Sequence, residues 1–241
     1  MSTYESFASI YDIFMQDAPY DQWLQLLRSK FTLATMDVAD IGCGTGMLTV
    51  PLSFDVSTCV GVDASEAMLA QAQDRAMEKR SRAQWVCEDM RSLLLPRKMD
   101  LIVSTCDVIN YLQTETELRQ TFASVYTALK PNGYFLFDTI GPKRIEALRE
   151  GYWHQIEDDA VLLHETRVTD RQIVHEVHAF VLAGHGDLYE RIEERHVQQY
   201  FHSEEVTKLL EETGFTLLDV LSDFKPGAID RADRVIYLAK R

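Results

Sequence analysis

The spacing of apolar positions changes along the chain, and each change predicts a different kind of element. From residue 5 to 30 apolar side chains fall at helical intervals: Phe7, Ile10, Tyr11 and Phe14, then, after "DAPY", Trp23, Leu24, Leu26 and Leu27. Two amphipathic helices are predicted there. Beyond them, short apolar runs alternate with helical stretches. "VADI" (38–41), "TCVGVD" (58–63), "AQWVCED" (83–89), "MDLIVST" (99–105) and "GYFLFD" (133–138) read as strands. Ser65 is placed to cap the helix "EAMLAQAQDRAMEKR", and "ETELRQTFASVYTALK" (115–130) ends against Pro131 and Gly133. Strands separated by helices of about ten to fifteen residues imply βαβ units and a parallel sheet buried on both faces.

After about residue 150 the period becomes two. "AVLLHETRVTD", "RQIVHEVHAFVLA" and "DLYERIEERHVQQYF" alternate and are polar on one side, which predicts an antiparallel sheet with one wet face. "TDRQ" and "AGHGD" supply the turns. Ser203 then reads as the cap of "EEVTKLLEET", Gly214 closes that helix, and "FTLLDVLS" and "RVIYLAK" are two final strands. The expected organisation is an N-terminal helical segment and α/β core over 1–150, an antiparallel insert over 151–201, and a C-terminal helix and strands over 202–241 that complete the core sheet. "REGYWHQIEDD" is an acidic entry to the insert, with Trp153 a candidate anchor.

Composition narrows the class. The 241 residues are 46% hydrophobic and 26% charged, which is globular. A formal charge of −14 argues against non-specific nucleic-acid binding. Cys43, Cys59, Cys87 and Cys106 form no CxxC pair, so neither a disulfide framework nor a zinc knuckle is indicated. No run approaches the roughly 18 apolar residues of a membrane span, and the start has no signal-peptide pattern; a cytoplasmic compartment is expected. His175 and His178 fall on opposite faces of a strand, and His164 and His185 have no carboxylate or thiolate companions at ligand spacing, so no metal site is expected.

The candidate chemistry begins at "VADIGCGTGMLTV" (38–50), where a strand passes into a helix. Gly42, Gly44 and Gly46 recur at every second position after Asp40. Ligands of open α/β sheets bind beyond the carboxyl ends of the strands, and glycine lets the backbone approach them. The run is not the dinucleotide fingerprint, because Met47 stands where its third glycine belongs, and no Walker lysine follows. A tight glycine turn without a ligand is the alternative.

"VADIGCGTG" resembles the first motif of the class I S-adenosylmethionine-dependent methyltransferases, D/E-x-G-x-G-x-G, at every fixed position. "GVDAS", "CEDM", "STCDVINYL" and "LKPNGYFLFD" match further family phrases at successive strand ends. "YESFASIYDIFM" and "QQYFHSEEVTKLLEETGF" extend the resemblance to a subgroup of bacterial methyltransferases of unassigned substrate and sugar N-methyltransferases. The resemblance implies a Rossmann-like, mostly parallel seven-stranded sheet with helices on both faces and an inserted antiparallel lid. It implies S-adenosylmethionine as cofactor, with Asp40, Gly42, Cys43, Gly44 and Gly46 in the loop around its methionyl and ribose part. Asp63 and Ala64 fall at the ribose, Asp89 and Met90 at the adenine, and Tyr4 and Tyr11 at the methionyl end. A helix cap is the alternative for Asp63, and a loop carboxylate for Asp89.

Methyl transfer from a sulfonium is an in-line displacement, so the protein mainly aligns the reactants and excludes water. Asp107, Asn110 and Tyr111 are the candidates facing the methyl: Asp107 as base or amine orienter, the other two as acceptor-holding groups. Capping of the next turn is the equal alternative for Asp107 and Asn110. His196 and Tyr200 share a strand face with Ile192, which makes them candidate substrate residues if the insert is a lid; a dimer interface or a solvated face is the other reading. The expected acceptor is a small molecule. RNA or protein methylation, or a non-catalytic cofactor-binding module, are the alternatives.

Overall fold

The computed structural model describes Asp12, residues 17–158, 160–182 and 188–241. Tyr4, Tyr11, Phe7, Ile10, Phe14 and His185 lie outside the described residues. The apolar stripe of Trp23, Leu24, Leu26 and Leu27 forms helix α1 (Tyr20–Lys30). The core then runs β1 (Asp37–Ile41), a single helical turn α2 (Thr49–Leu52), β2 (Thr58–Asp63), α3 (Glu66–Lys79), β3 (Gln84–Cys87), β4 (Met99–Ser104), α4 (Glu115–Ala128) and β5 (Leu129–Ile140). Ser65 caps α3 by accepting from the Met68 N–H, as expected, and Thr114 caps α4 the same way through Glu117. A short helix, α5 (Pro142–Leu148), leads into β6 (Tyr152–Ile156), β7 (Ala160–Val168), β8 (Gln172–Leu182) and β9 (Tyr189–Gln199). Helix α6 (Ser203–Glu212), β10 (Thr216–Ser222) and β11 (Arg234–Lys240) close the chain.

The main sheet has seven strands in the order β10-β11-β5-β4-β1-β2-β3, with only β11 antiparallel to its neighbours β5 and β10. Alternating residues of its strands bury opposite faces. Ile102, Phe135 and Phe137 pack towards Phe122 of α4 and Leu209 and Leu210 of α6. Leu101, Val103 and Leu136 pack towards Trp23 and Leu27 of α1. Both faces are covered, which is why these strands read as continuous apolar runs.

Several boundaries differ from the expectation. Helix α4 stops at Ala128, and Pro131 falls inside β5, where pairing with β4 jumps from Leu129 to Tyr134. Proline lacks the N–H that a regular ladder needs, so the irregular stretch takes it. The N-cap of α6 is His202, one residue before Ser203, because Glu205 reaches back to accept from the His202 N–H at 3.0 Å. Strand β6 comes from the stretch read as an acidic entry, and helix α5 occupies the residues just before that stretch.

The second sheet has the order β6-β7-β8-β9 and is antiparallel throughout. Leu162, Thr166, Ile173, His175, His196 and Gln198 lie on its buried face, while Glu165, Arg167, Glu193 and Arg195 are exposed on the other. Ile173 joins Ile140, Ile145 and Leu148 in an apolar contact with α5, and the Thr166 hydroxyl donates to the Leu148 carbonyl at 2.5 Å. Trp153 is not a buried anchor; it is 39% exposed and sets its ring edge-on to His164.

Candidate active site

The chain winds β1-β2-β3 outward on one side and β4-β5 on the other, so β1 and β4 flank the topological switch point. The loops leaving these two strands touch. A Cβ on Gly42 would lie 2.2 Å from Val108 Cγ1, in the turn after β4. One on Gly46 would lie 2.8 Å from the Trp85 ring. At Gly44 none of the described residues stands within 4 Å. All three residues have positive φ. Two of the glycines are therefore required by neighbouring side chains, whereas Gly44 presents backbone that no described side chain covers.

Carboxylates surround that backbone. Asp63, at the end of β2, accepts from the Gly44 N–H at 2.8 Å through one oxygen and from the Ser65 N–H at 2.9 Å through the other. It thereby holds the glycine loop while keeping further lone pairs for a ligand. Its pKa is raised by burial. Asp40 is 2% exposed and accepts from the Thr49 hydroxyl at 2.6 Å. Burial pushes its pKa up to about 7 against that hydrogen bond, with the Asp63 charge adding to the rise. A buried carboxyl so destabilised in its charged form is a good partner for an ammonium group. Cys43 is buried beneath the loop, and Ala64 is exposed beside it. Asp89 caps the turn after β3 and chelates Arg91, which also reaches Glu117; Met90 packs half-buried on the core.

Sequence reasoning missed four side chains here. The Thr45 hydroxyl donates to Asp12 at 2.6 Å, and Arg75 pairs with Asp12 while donating to the Thr45 carbonyl, so Asp12 is tied to the glycine loop. Tyr20 turns its hydroxyl into a region shared by Cys106, Asp12 and Asp40, where burial and those groups raise its pKa.

The loop after β4 is strained. Cys106 and Asp107 have φ of +63° and +55°, two consecutive non-glycine residues in the left-handed region, a conformation costing about 1–3 kcal/mol each and concentrated at functional sites. Asp138 of β5 holds it by accepting from the Asp107 N–H at 3.0 Å. Asp138 is fully buried against Arg234, whose second amino group lies 3.8 Å from Asp107. Burial raises the Asp138 pKa and the guanidinium opposes that rise; Arg234 is kept charged by its two carboxylates. Asn110 is fully buried, donating to the Gln199 carbonyl and accepting from the Ile140 N–H, so its amide joins β9 to the end of β5. Tyr111 sets its ring at right angles to that of His196.

The insert reaches this loop. The Gln198 side chain donates to Asp107 at 2.8 Å, His175 contacts the Gln198 side-chain oxygen Oε1 at 2.9 Å, and His164 contacts His175 at 2.9 Å. His164, without a carboxylate or thiolate companion at ligand spacing, meets a second imidazole across the sheet. His196 lies directly opposite His175 in the ladder. Burial lowers all three imidazoles, His164 to about 3 and His196 to about 4. Tyr200 instead packs into the apolar contact with α5. Among the described residues no group of three or more His, Cys, Asp or Glu could hold a metal ion, and no helix is long and apolar enough to cross a membrane.

A parallel sheet with bare glycine backbone and ordered carboxylates at its switch point defines a nucleoside-cofactor enzyme. A family model described as "Methyltransferase domain" matches residues 38–133. A protein of Geobacillus sp. (strain WCH70), named "Putative methyltransferase", is 32% identical over 254 residues, covering 99% of this chain and all of that one. An S-adenosylmethionine-dependent methyltransferase from Clostridium acetobutylicum ATCC 824 superposes with a TM-score of 0.87 at 26% identity, covering 98% of each chain. CalS10 of Micromonospora echinaspora, an amino pentose methyltransferase solved with S-adenosylmethionine bound, shares the fold at a TM-score of 0.72 and 18% identity over 96% of each chain. The chain belongs to the class I S-adenosylmethionine-dependent methyltransferases, and S-adenosylmethionine is its methyl donor.

Proposed function

We propose that this methyltransferase acts on a small polar molecule, in a cytoplasmic setting, with the acceptor seated between the Cys106–Tyr111 loop and the buried face of the insert. The observation that carries this reading is the hydrogen bond from Gln198 to Asp107, which brings the insert down onto the loop that follows β4. A face closed in that way favours a small acceptor over a folded macromolecule, and the charge of −14 is unfavourable for RNA. The amino pentose methyltransferase that shares the fold acts on an acceptor of that size.

S-adenosylmethionine supplies an activated methyl on a sulfonium. Gly44 and Cys43 offer backbone to it, Asp40 faces its ammonium, Asp63 and Ala64 meet the ribose, and Asp89 and Met90 meet the adenine. Tyr4 and Tyr11 are assigned to the methionyl end. Asp107 orients the acceptor or takes its proton, Tyr111 and His196 hold it, and Asn110 keeps the loop in register. Tyr200 contributes by seating the insert.

The test supplies methyl-labelled S-adenosylmethionine and purified protein to a dialysed extract with its metabolite pool restored, then counts label in small-molecule, RNA and protein fractions. Label in the small-molecule fraction that disappears with Asp63→Ala is the expected result. Label confined to RNA or protein would overturn the acceptor class.

A further inference from the structure

Four side chains contributed by four different elements form one unbroken line: Asp107 after β4, Gln198 on β9, His175 on β8 and His164 on β7. The direction of every hydrogen bond in it follows from its first member. A carboxylate only accepts, so the Gln198 atom that meets Asp107 is the amide nitrogen. The Gln198 oxygen is then left to face His175 and must accept from Nε2–H. A neutral imidazole carries one N–H, so His175 Nδ1 is an acceptor, and His164 must donate to it through Nε2–H. Burial keeps both imidazoles neutral, which is the state this chain requires. All three bonds therefore point towards Asp107.

We infer that Gln198 and His175 are positioning residues for Asp107, fixing through His164 the carboxylate that faces the acceptor. Asp107 needs such a fixture. Its backbone is left-handed, its side chain is 31% exposed, and Arg234 stands 3.8 Å from its other oxygen. Without Gln198 the carboxylate would be free to rotate towards the guanidinium. With Gln198, one oxygen is committed to the insert and the other stays near Arg234. Gln198 is 3% exposed and His175 is 9% exposed, so neither amide nor imidazole can exchange its partner for bulk water. An amide does not relay protons as an imidazole does, which makes the line a fixture and not a proton path.

The inference rests on Asp107 facing the acceptor, so its test has a readout that needs no acceptor. Nitrogen NMR of the full-length protein with labelled histidine reports which ring nitrogen carries the proton. The expected spectrum has His175 and His164 both neutral and protonated at Nε2. Asp107→Leu removes the group that sets the direction, and His175 is then expected to redistribute between tautomers. Gln198→Leu is expected to slow label transfer to the small-molecule fraction about ten- to a hundredfold at saturating acceptor pool, with S-adenosylmethionine affinity by calorimetry unchanged. An Nδ1–H tautomer at His175 in the native protein, or a histidine spectrum indifferent to Asp107→Leu, overturns the inference and leaves the proposed function standing. Native tautomers as expected but label only in RNA or protein sinks the small-molecule reading, while the fixture survives on the spectrum.

Discussion

The two ends of the site are built on opposite electrostatic plans. Around Gly44 the protein uses carboxylates, Asp40, Asp63 and Asp12, aimed at backbone N–H groups, two hydroxyls and Arg75. Across the switch point, the insert offers neutral groups: an amide and imidazoles whose pKa values burial has lowered. Fixed anions suit a ligand bearing an ammonium and a ribose. Neutral hydrogen-bonding groups suit an acceptor that must arrive uncharged at the attacking atom. The glycine-loop side thus engages its ligand by charge, whereas on the acceptor side the insert adds shape and neutral hydrogen bonds around the charged Asp107 and Arg234.

The largest test of that division falls on Asp107, the carboxylate on the acceptor side. Asp107→Ala is expected to lower methyl transfer by roughly 10²–10⁴-fold with little change in cofactor affinity. Normal turnover would remove Asp107 from the chemistry and leave it as a structural cap. Next in size is the support behind it. Arg234→Met strands the fully buried Asp138, which is expected to cost about 3–5 kcal/mol in denaturant unfolding. Adding Asp138→Asn should recover part of that loss. No recovery would mean that the guanidinium acts by packing against Trp23, over whose ring it lies at 6.0 Å.

On the cofactor side the comparison sharpens between two glycines. Gly42→Ala adds left-handed strain and a clash with Val108, expected to total roughly 2–6 kcal/mol. Gly44→Ala meets no neighbour among the described residues, so its stability cost there is about 1 kcal/mol of backbone strain. Its methyl group should nonetheless weaken S-adenosylmethionine binding more than tenfold, because it enters the space the cofactor uses. Equal affinity in Gly44→Ala and the native protein would move the cofactor away from that loop.

These contrasts also explain what could be read in advance. The sheet, its order of elements and the glycine motif are local signals: apolar runs, caps and short phrases at strand ends. Asp63 and Gly44 lie 19 residues apart within one βαβ unit. The acceptor side has no such compactness. Asp107 meets Gln198 across 91 residues, and Arg234 meets Asp138 across 96, distances over which neither periodicity nor a motif carries information. The contact between His164 and His175 was not legible because the two sit diagonally on neighbouring strands, a relation set by the register of β7 and β8. Strand β6 was hidden by its exposure: four of its five residues are open to solvent, so no apolar alternation marked it. Asn110 was legible as a polar loop residue, but its two buried hydrogen bonds depend on where β5 and β9 end.

The smallest effect has the clearest sign. His164 titrates near 3 and His196 near 4 in the folded protein, and His175 is lowered as well, against about 6.5 in an unfolded chain. The groups facing them are Arg144 of α5 and Trp153 of β6, with Asp107 behind Gln198 and Glu194 on the same face of β9. Below pH 6.5 the unfolded insert binds protons that the folded one refuses, so its stability falls as pH falls from 6.5 towards 4. Asp40 works the other way. Its folded pKa of about 7 lies above the unfolded value near 3.9, so the cofactor end without ligand binds more protons when folded and gains stability over much of the same range. Global unfolding would average the two slopes and report little. Amide hydrogen exchange, read strand by strand and corrected for its intrinsic pH dependence, separates them: between pH 7 and pH 5 protection should fall across β7, β8 and β9 and hold or rise across β1 and β2. Parallel changes in both sheets would show that the insert and the core open as one unit, and the division between a charged glycine loop and a neutral insert would then carry no difference in stability.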